Sequence, residues 1–431
     1  MKYIHIQTYG CSANQNNSEI LKGILMQSGY QLTDNEKIAD IIILNTCVVK
    51  SKTENKIKRR IQDLKKSKKL TIITGCMPET DAKQIKELNP NTILLGTHHF
   101  KKIIKLINNY NNSQLDLTKQ NDFLDYQKET KLNLPKIPKN KLISITQISE
   151  GCLGNCTYCK TRLAKGKLFS YPEDEIIKSI QNDLMSGAKE VWITSQDNAN
   201  YNLDNGSQKL PELLNKILNL EYRFKLRLGM MDPNNVLPIL KELIKVYKNK
   251  KMYKFLHIPI QSASNKVLKD MNRLYTIEQA EKIIKEFRKE FPNMTIATDI
   301  IVGYPTEKQS EHKQNINFIK RYGPDVFNLS KFSSHKQTSA GRLKQIPIKT
   351  INKRTSELMQ IHRQTALENK QKFLNKIIKV FVNKKLGDNF YEARDENYNI
   401  VLINSKENIL GKNVNVKINK FGVHHLAGEI K

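Results

Sequence analysis

The chain has 431 residues, 39% hydrophobic and 26% charged, with 18 Gly and 13 Pro; these proportions exclude a collagen-like, low-complexity or disordered chain, and the length suits two or three folded domains. Lys and Arg number 72 against 42 Asp and Glu, a net charge of +30 that favours a polyanionic partner, nucleic acid first, although a coding bias toward Asn, Ile and Lys would also raise it. With no run of about 18 apolar residues and no apolar leader after Met1, the expectation is a cytoplasmic protein with no membrane partner, whose six cysteines serve as thiols or metal ligands rather than disulfides.

In the first hundred residues the apolar runs Tyr3–Gln7, Ile41–Leu44 and Leu70–Ile73 are each followed by a helical pattern, which predicts a βαβ series around a parallel sheet. Each run ends at a cysteine, in Tyr9-Gly10-Cys11, Asn45-Thr46-Cys47 and Thr74-Gly75-Cys76. The carboxyl ends of parallel strands share one edge, so three cysteines distant in sequence are expected to meet there. The stretch from Lys56 to Lys69 predicts a basic helix, facing either a polyanion or solvent.

From Asn108 to Asn140 the chain turns polar, with Pro135 and Pro138, and reads as a linker. A longer alternation follows, with strands expected at Leu142–Ser149, Val191–Ser195, Lys225–Met230, Phe255–Ile260, Ile296–Val302 and Val326–Phe332, and helical spacing between them, as in Glu173–Met185 and Gln279–Phe291. Six such strands predict a partial or complete (β/α) barrel with its site at the strands' carboxyl ends. After a helix over Asn352–Leu374, short alternating runs at Ile378–Val382, Asn399–Ile403, Val414–Ile418 and Leu426–Ile430 predict a small all-β barrel of a shape that grips RNA. The expected organisation is an α/β domain over 1–107, a linker over 108–140, a barrel over 141–374 and a β barrel over 375–431.

Directly after the first barrel strand comes Glu150-Gly151-Cys152-Leu153-Gly154-Asn155-Cys156-Thr157-Tyr158-Cys159, a C-x3-C-x2-C spacing on a glycine-containing loop. Three thiolates this close can hold one face of a metal cluster. A closed structural zinc site wants four ligands, and no histidine stands in the loop to supply the fourth. A 4Fe-4S cluster held by Cys152, Cys156 and Cys159 instead leaves one iron open to a small chelating ligand.

This loop, with Tyr158 before the last cysteine, resembles that of the radical S-adenosylmethionine enzymes, in which the open iron chelates the cofactor's methionine end and electron transfer yields a 5′-deoxyadenosyl radical. Taken with Tyr9-Gly10-Cys11, Asn14, Ser18-Glu19, Asn45-Thr46-Cys47 and Gly75-Cys76, nearly the whole chain resembles the radical methylthiotransferases. The resemblance implies that Cys11, Cys47 and Cys76 hold an auxiliary 4Fe-4S cluster that carries the inserted sulfur, and that S-adenosylmethionine is used twice, as methyl donor and as radical source. It further implies a protein partner that supplies electrons.

Three strand-end stretches also match, at Thr194-Ser195-Gln196-Asp197, Arg227 to Pro233 and His257 to Ser262, and they nominate Gln196, Arg227 and Gln261 for cofactor binding, Arg227 as a carboxylate partner. Gly303, in the stretch Asp299 to Pro305, would allow close backbone approach to adenine. The block from Cys159 to Gly166 is similar to the archaeal and eukaryotic branch that acts on N6-threonylcarbamoyladenosine at position 37 of tRNA, in the anticodon loop, and the tail resembles the TRAM domain of these enzymes. There Lys379, Lys384, Lys385, Arg394, Lys412 and Lys417 are expected at phosphates and Tyr391, Tyr398 or Phe421 as stacking platforms. The alternatives are isopentenyladenosine-37 as substrate, a ribosomal-protein aspartate, against which the basic balance speaks, or a non-catalytic iron–sulfur RNA-binding protein. Asn17, Thr306-Glu307 and the loop Ser334 to Ala340 depart from the family pattern. No side chain is assigned a catalytic role.

Overall fold

A computed structural model of the chain describes residues 2–112 and 123–431. The N-terminal sheet is parallel, in the order β2 (Gln31–Leu32), β1 (Tyr3–Thr8), β3 (Ile41–Thr46), β4 (Leu70–Gly75), β5 (Ile93–Gly96). β3, β4 and β5 are buried along their whole length, as strands covered on both faces must be, which is why their sequences run apolar without alternation. Helices α1 (Ser12–Gln27), α2 (Ser51–Leu64), α3 (Cys76–Leu88) and α4 (Ile103–Asn111) connect or cover them. In α2 the residues Ile57, Ile61 and Leu64 face the core, while Lys52, Lys56 and Arg59 are exposed.

Of the expected linker, 113–122 lie outside the described residues and Asn108 to Asn111 complete α4. Residues 123–140 thread between the N-terminal sheet and the rest: Gly96 N–H donates to Phe123 O at 2.7 Å and Ile137 N–H to Glu19 O at 2.9 Å.

The central part is a six-stranded partial barrel, as the alternation predicts. Strands β6 (Ile143–Gln147), β9 (Glu190–Thr194) and β10 (Lys225–Leu228) form one parallel sheet, and β11 (Phe255–His257), β12 (Thr295–Val302) and β13 (Val326–Lys331) another. The two meet between β10 and β11 through the Leu226–Met252 bridge. A short hairpin, β7 (Ser149–Glu150) with β8 (Phe169–Ser170), brackets the Cys152 loop and the helix after it, α5 (Lys160–Lys165). Helices α6 (Glu173–Met185), α7 (Leu210–Leu218), α8 (Pro233–Val236), α9 (Leu240–Tyr247), α10 (Asn265–Asp270), α11 (Ile277–Glu290), α12 (Gln309–Tyr322) and α13 (Ile348–Gln371) occupy the later crossovers and the exit. The apolar residues Val191, Ile193, Leu226, Leu228, Leu256, Ile296 and Ile300 join one large core with the helices, which leaves the alternate positions Trp192, Arg227, Phe255, His257 and Asp299 on the lumen face.

Several strands end earlier than expected. β11 stops at His257 rather than Ile260, consistent with Pro259, which has no N–H for the ladder. β10 stops at Leu228, where the chain presses Gly229 so close to Asn198 and Ile193 O that a Cβ would stand 2.6 and 2.9 Å from them. The exit helix starts at Ile348, after Pro347, and ends at Gln371 instead of running from Asn352 to Leu374.

The tail closes into a five-stranded barrel of β14 (Ile377–Lys385), β15 (Phe390–Asp395), β16 (Ile400–Asn404), β18 (Leu426–Ile430) and β17 (Asn413–Phe421), in that order around it. It docks on the amino ends of the central strands. Lys254 N–H donates to Glu396 O at 2.9 Å, Asn383 Nδ2 donates to Glu190 Oε1 at 2.9 Å, and the Tyr398 ring packs with Tyr253 and Phe255 at centroid distances of 4.9 and 5.0 Å. The small barrel is therefore the floor of the larger one.

Candidate functional site

Cys11 caps α1, Cys47 follows β3 and Cys76 opens α3, so the three stand at the carboxyl ends of the adjacent strands β1, β3 and β4. Side chains of the turns tie the three ends together. Asn14 Nδ2 donates to Tyr9 O and Thr46 O, both at 2.8 Å; Asn45 Nδ2 donates to Asn14 O and Ser18 Oγ, both at 2.8 Å; Thr46 Oγ1 donates to Thr74 O at 2.6 Å and accepts from Met77 N–H at 3.1 Å. Gly10, at φ 106°, lies so near Cys47 that a Cβ would come within 2.8 Å of its Cβ and 3.0 Å of its Sγ. Gly75, at φ 88°, would meet Asn45 Oδ1 and Thr46 O at 2.5 Å.

The buried Cys47 and Cys76 resist ionisation. Burial raises the Cys47 thiol and pushes Cys76 up to about 12, against the opposing charge of Lys165. As bare thiols these side chains are protonated at neutral pH and are poor nucleophiles, whereas an iron that binds them would deprotonate them.

The second triad lies on the loop after β7. Cys152 Sγ accepts from Gly154 N–H at 3.2 Å, Cys156 Sγ accepts from Arg273 Nη1 at 3.1 Å, and Cys159 caps α5. Burial pushes Cys152 up to about 12 and raises Cys159. The loop is clamped from the barrel: Thr157 N–H donates to Met271 O at 3.1 Å, Ala340 N–H donates to Thr157 O at 3.0 Å, and Thr157 and Tyr304 share a hydroxyl hydrogen bond of 2.9 Å. Tyr158 packs beside Val267, Met271, Tyr304 and Ala340.

At the ends of β9 and β10, Asp197 accepts from Asp232 N–H at 3.0 Å and Asn235 Nδ2 at 2.6 Å, while Asp232 pairs with Arg273 at 2.6 Å. Burial, with Asp232 alongside, pushes the Asp197 carboxyl up to about 7. Arg273 thus joins a strand-end carboxylate to a cysteine of the loop. Sequence reading passes over it, because Met271-Asn272-Arg273 lies between two helices with no motif around it. His257 Nε2 stands 2.5 Å from Asp299 Oδ2 on the lumen face.

Of the residues nominated for cofactor binding, Gln196 follows β9 with a buried, unpartnered Oε1. Gln261 lies past β11 at φ 61°, held by its backbone to Asp299 and Ile301. Arg227 stands lower in the lumen, its guanidinium 5.0 to 6.0 Å from the ring centres of Phe255, Tyr398 and Trp192. Gly303, at φ 79°, is close-packed on Ile351. In the small barrel, Tyr391 and Tyr398 are not stacking platforms. Tyr391 is buried with its hydroxyl on Glu407 O at 3.2 Å, and Tyr398 is spent on the floor contact. Arg394 pairs with Glu392 and lies over the Tyr398 ring, whereas Lys379, Lys384, Lys385, Lys412 and Lys417 are exposed.

Helix α5 joins the two triads. It begins one residue after Cys159, packs on α3, which begins with Cys76, and places Ala164 in the same apolar cluster as Cys47 and Cys76. Among the described residues no three His, Cys, Asp or Glu side chains converge tightly enough for a single metal ion.

The family model described as "Uncharacterized protein family UPF0004" matches residues 3–96, and the model of the "Radical SAM superfamily" matches residues 146–319. The chain is 35% identical over 432 residues, 100% of both chains, to a "Probable threonylcarbamoyladenosine tRNA methylthiotransferase" of Pyrococcus horikoshii. It is 33% identical to the human threonylcarbamoyladenosine tRNA methylthiotransferase over 434 residues, 99% of this chain and 73% of that one. Among solved structures it resembles the radical S-adenosylmethionine methyltransferase TsrM of Kitasatospora setae, with a TM-score of 0.59 at 12% identity over 79% of this chain and 77% of that one, a likeness of fold. No helix among the described residues is long and apolar enough to cross a membrane.

Proposed function

The chain belongs to the threonylcarbamoyladenosine tRNA methylthiotransferases of the radical S-adenosylmethionine superfamily, and from that premise we propose how its residues divide the work. The enzyme converts N6-threonylcarbamoyladenosine in tRNA to its 2-methylthio derivative, with two 4Fe-4S clusters and S-adenosylmethionine as cofactors. Position 37 in the anticodon loop is the modified site, and a reductant protein supplies the electrons.

The observation that carries the division is the pair of three-cysteine sites joined through α5 and α3. Cys152, Cys156 and Cys159 would hold the first cluster, and Cys11, Cys47 and Cys76 would hold the second. When bound, the first group supplies a carbon radical and the second a methylated sulfur. What remains for the protein is placement. Arg273 donates to Cys156 and pairs with Asp232, so it links the cysteine loop to the strand ends. Gln196, with its free buried oxygen, and Gln261, with its backbone fixed at the lumen edge, face the cofactor's polar end. Asp197 is held by donors of the protein itself, Ala199 N–H, Asp232 N–H and Asn235 Nδ2, and so fixes the strand ends beside the cofactor's place. The floor of Tyr398 and Arg227 closes the lumen to water from below. The exposed lysines of the small barrel and of α2 bind phosphates of the tRNA.

The test is to reconstitute the protein anaerobically and count iron and sulfide, in the wild type and in a Cys152→Ala, Cys156→Ala, Cys159→Ala variant. About eight irons falling to about four supports two separate sites. About four falling to none would empty Cys11, Cys47 and Cys76 of a cluster and overturn the division. Mass spectrometry of nucleosides from tRNA incubated with the loaded wild type should show the methylthio product.

A further inference from the structure

Beneath the two triads lies a buried group of charges that the reaction as described does not use. Glu150, 2% exposed, ends the β7 segment two residues before Cys152. Its Oε1 accepts from two ammonium groups, Lys131 Nζ at 2.5 Å and Lys165 Nζ at 2.9 Å. Lys131 and Lys165 are themselves buried, at 5% and 1% exposed. Lys165 Nζ also donates to Thr97 Oγ1 at 2.6 Å, and His98 Nδ1 lies 3.7 Å from Glu150 Oε2.

Two carboxylates stand among these ammonium groups: Glu150, and Glu79, whose Oε1 accepts from Thr97 N–H at 2.7 Å. Burial pushes Glu79 up to about 7, while Lys165 and Lys131 oppose the shift. The group reaches the N-terminal cysteines through the end of β5. Gly96 pairs with Gly75 in the sheet, so Thr97, which accepts from Lys165 Nζ, stands beside Cys76, and Ala164, the neighbour of Lys165, packs with Cys47 and Cys76. A thiolate ligand formed there has a buried cation next to it, and a buried charge is sustained only by such a partner.

We propose that Lys165, backed by Lys131, is a positioning cation for the Cys11–Cys47–Cys76 site: it balances the ligated thiolates and holds the reduction potential of that site up. The cation comes from the helix that follows Cys159, so the barrel loop that carries one triad completes the charge of the other, and the N-terminal site has its full surroundings only when the two domains are packed together. Lys131 reaches the same carboxylate from residues 123–140, which makes the segment between the domains part of the site.

This rests on the assignment of a cluster to the N-terminal cysteines, and the experiment separates the two. The full chain carrying Cys152→Ala, Cys156→Ala and Cys159→Ala holds the N-terminal cluster alone, and its midpoint potential is read by a redox titration followed by electron paramagnetic resonance. Adding Lys165→Met is expected to make reduction harder by at least tenfold, a midpoint lower by about 59 mV for one electron, while Lys165→Arg stays near the parent. The converse change, Glu150→Gln, removes the opposing charge and is expected to raise the midpoint, which decides the matter if Lys165→Met loses its irons. An iron-loaded parent whose midpoint ignores both substitutions overturns the proposal. A parent without iron overturns the cluster assignment, and the proposal with it.

Discussion

Lys160 Nζ lies 2.6 Å from Asp81 Oδ2, and this ion pair ties the residue after Cys159 to the helix opened by Cys76. Glu54 stands 3.5 Å from the same ammonium, and Gln337 Nε2, from the loop after β13, donates to Asp81 Oδ1 at 3.3 Å. The loop that departs from the family pattern thus has a use in this chain: it ties β13 to the N-terminal helices, with His335 Nδ1 3.8 Å from Glu54.

Removing the cation leaves Asp81 without its ion pair, whereas Glu54 keeps Lys58 at 2.7 Å. Lys160→Met is expected to lower stability by about 3 kcal/mol, the usual cost of leaving one partner of a buried pair alone, and Asp81→Asn in the same chain should recover part of it. Denaturant titration of the four variants of this cycle measures the coupling. The pH dependence has a definite sign. Burial works against the Asp81 carboxylate, but hydrogen bonds from Lys160 and Thr80 hold it below its ordinary range. A depressed acid stabilises the fold above the unfolded value and loses that contribution as pH falls through the folded one. The gap between wild type and Asp81→Asn should therefore close on acidification below pH of about 4.

Much of this arrangement was legible in the sequence, because strand-end position in a parallel sheet is a topological fact. Three apolar runs ending in cysteine are enough to place Cys11, Cys47 and Cys76 on one edge, and β1, β3 and β4 do so. The contacts that join the domains were not legible. Glu150, Lys131 and Lys165 look like surface charges in a basic chain, and only burial reveals them as partners. Tyr398 has the look of a stacking platform in an RNA-binding fold, yet a docked barrel needs an aromatic plug at its interface as much as RNA needs a platform on its surface. Strand β15 was missed for a related reason: Phe390–Asp395 alternates burial, but its polar half hides the period.

Trp192 is the chain's single tryptophan and sits on the lumen face 6.2 Å from the Tyr398 ring, so its fluorescence reports on the floor. Tyr398→Ala is expected to shift that emission to the red as water enters, to expose the segment after Gln371 to trypsin, and to cost about 3 kcal/mol from lost aromatic packing. Both clusters should survive, since no cysteine is among the residues packed with Tyr398. Unchanged emission would mean that the small barrel does not hold the floor in solution.

Arg273 offers a sharper test of the radical site. Arg273→Lys keeps the charge but loses the fork that bonds Cys156 Sγ and Asp232 together. Arg273→Met leaves Asp232 beside Asp197 with no cation. The expected order of S-adenosylmethionine cleavage under reducing conditions is wild type, then Lys, then Met, with Met down at least tenfold, about 1.4 kcal/mol of lost stabilisation. Iron at the N-terminal site should be unaffected in both, which a count after removal of the barrel-loop cysteines checks.

Gly10→Ala separates the two halves of the reaction in the opposite sense. At φ 106° an alanine is strained, and its Cβ would stand 2.8 Å from Cys47 Cβ with the Asn14 amide at 2.9 Å on the other side. Neither neighbour can yield freely, because Asn14 bonds both Tyr9 O and Thr46 O and Cys47 is buried. The turn has to open, which moves Cys11 away from its two partners. Iron is expected to fall from about eight to about four, and methylthio-adenosine should vanish from the tRNA. Cleavage of S-adenosylmethionine should persist, since the atoms nearest a Cβ at Gly10 belong to Cys47 and Asn14 of the N-terminal site. A variant that loses both activities together would show that the two sites fold as one unit; one that keeps all eight irons would show that the approach of Gly10 to Cys47 does not set the N-terminal site.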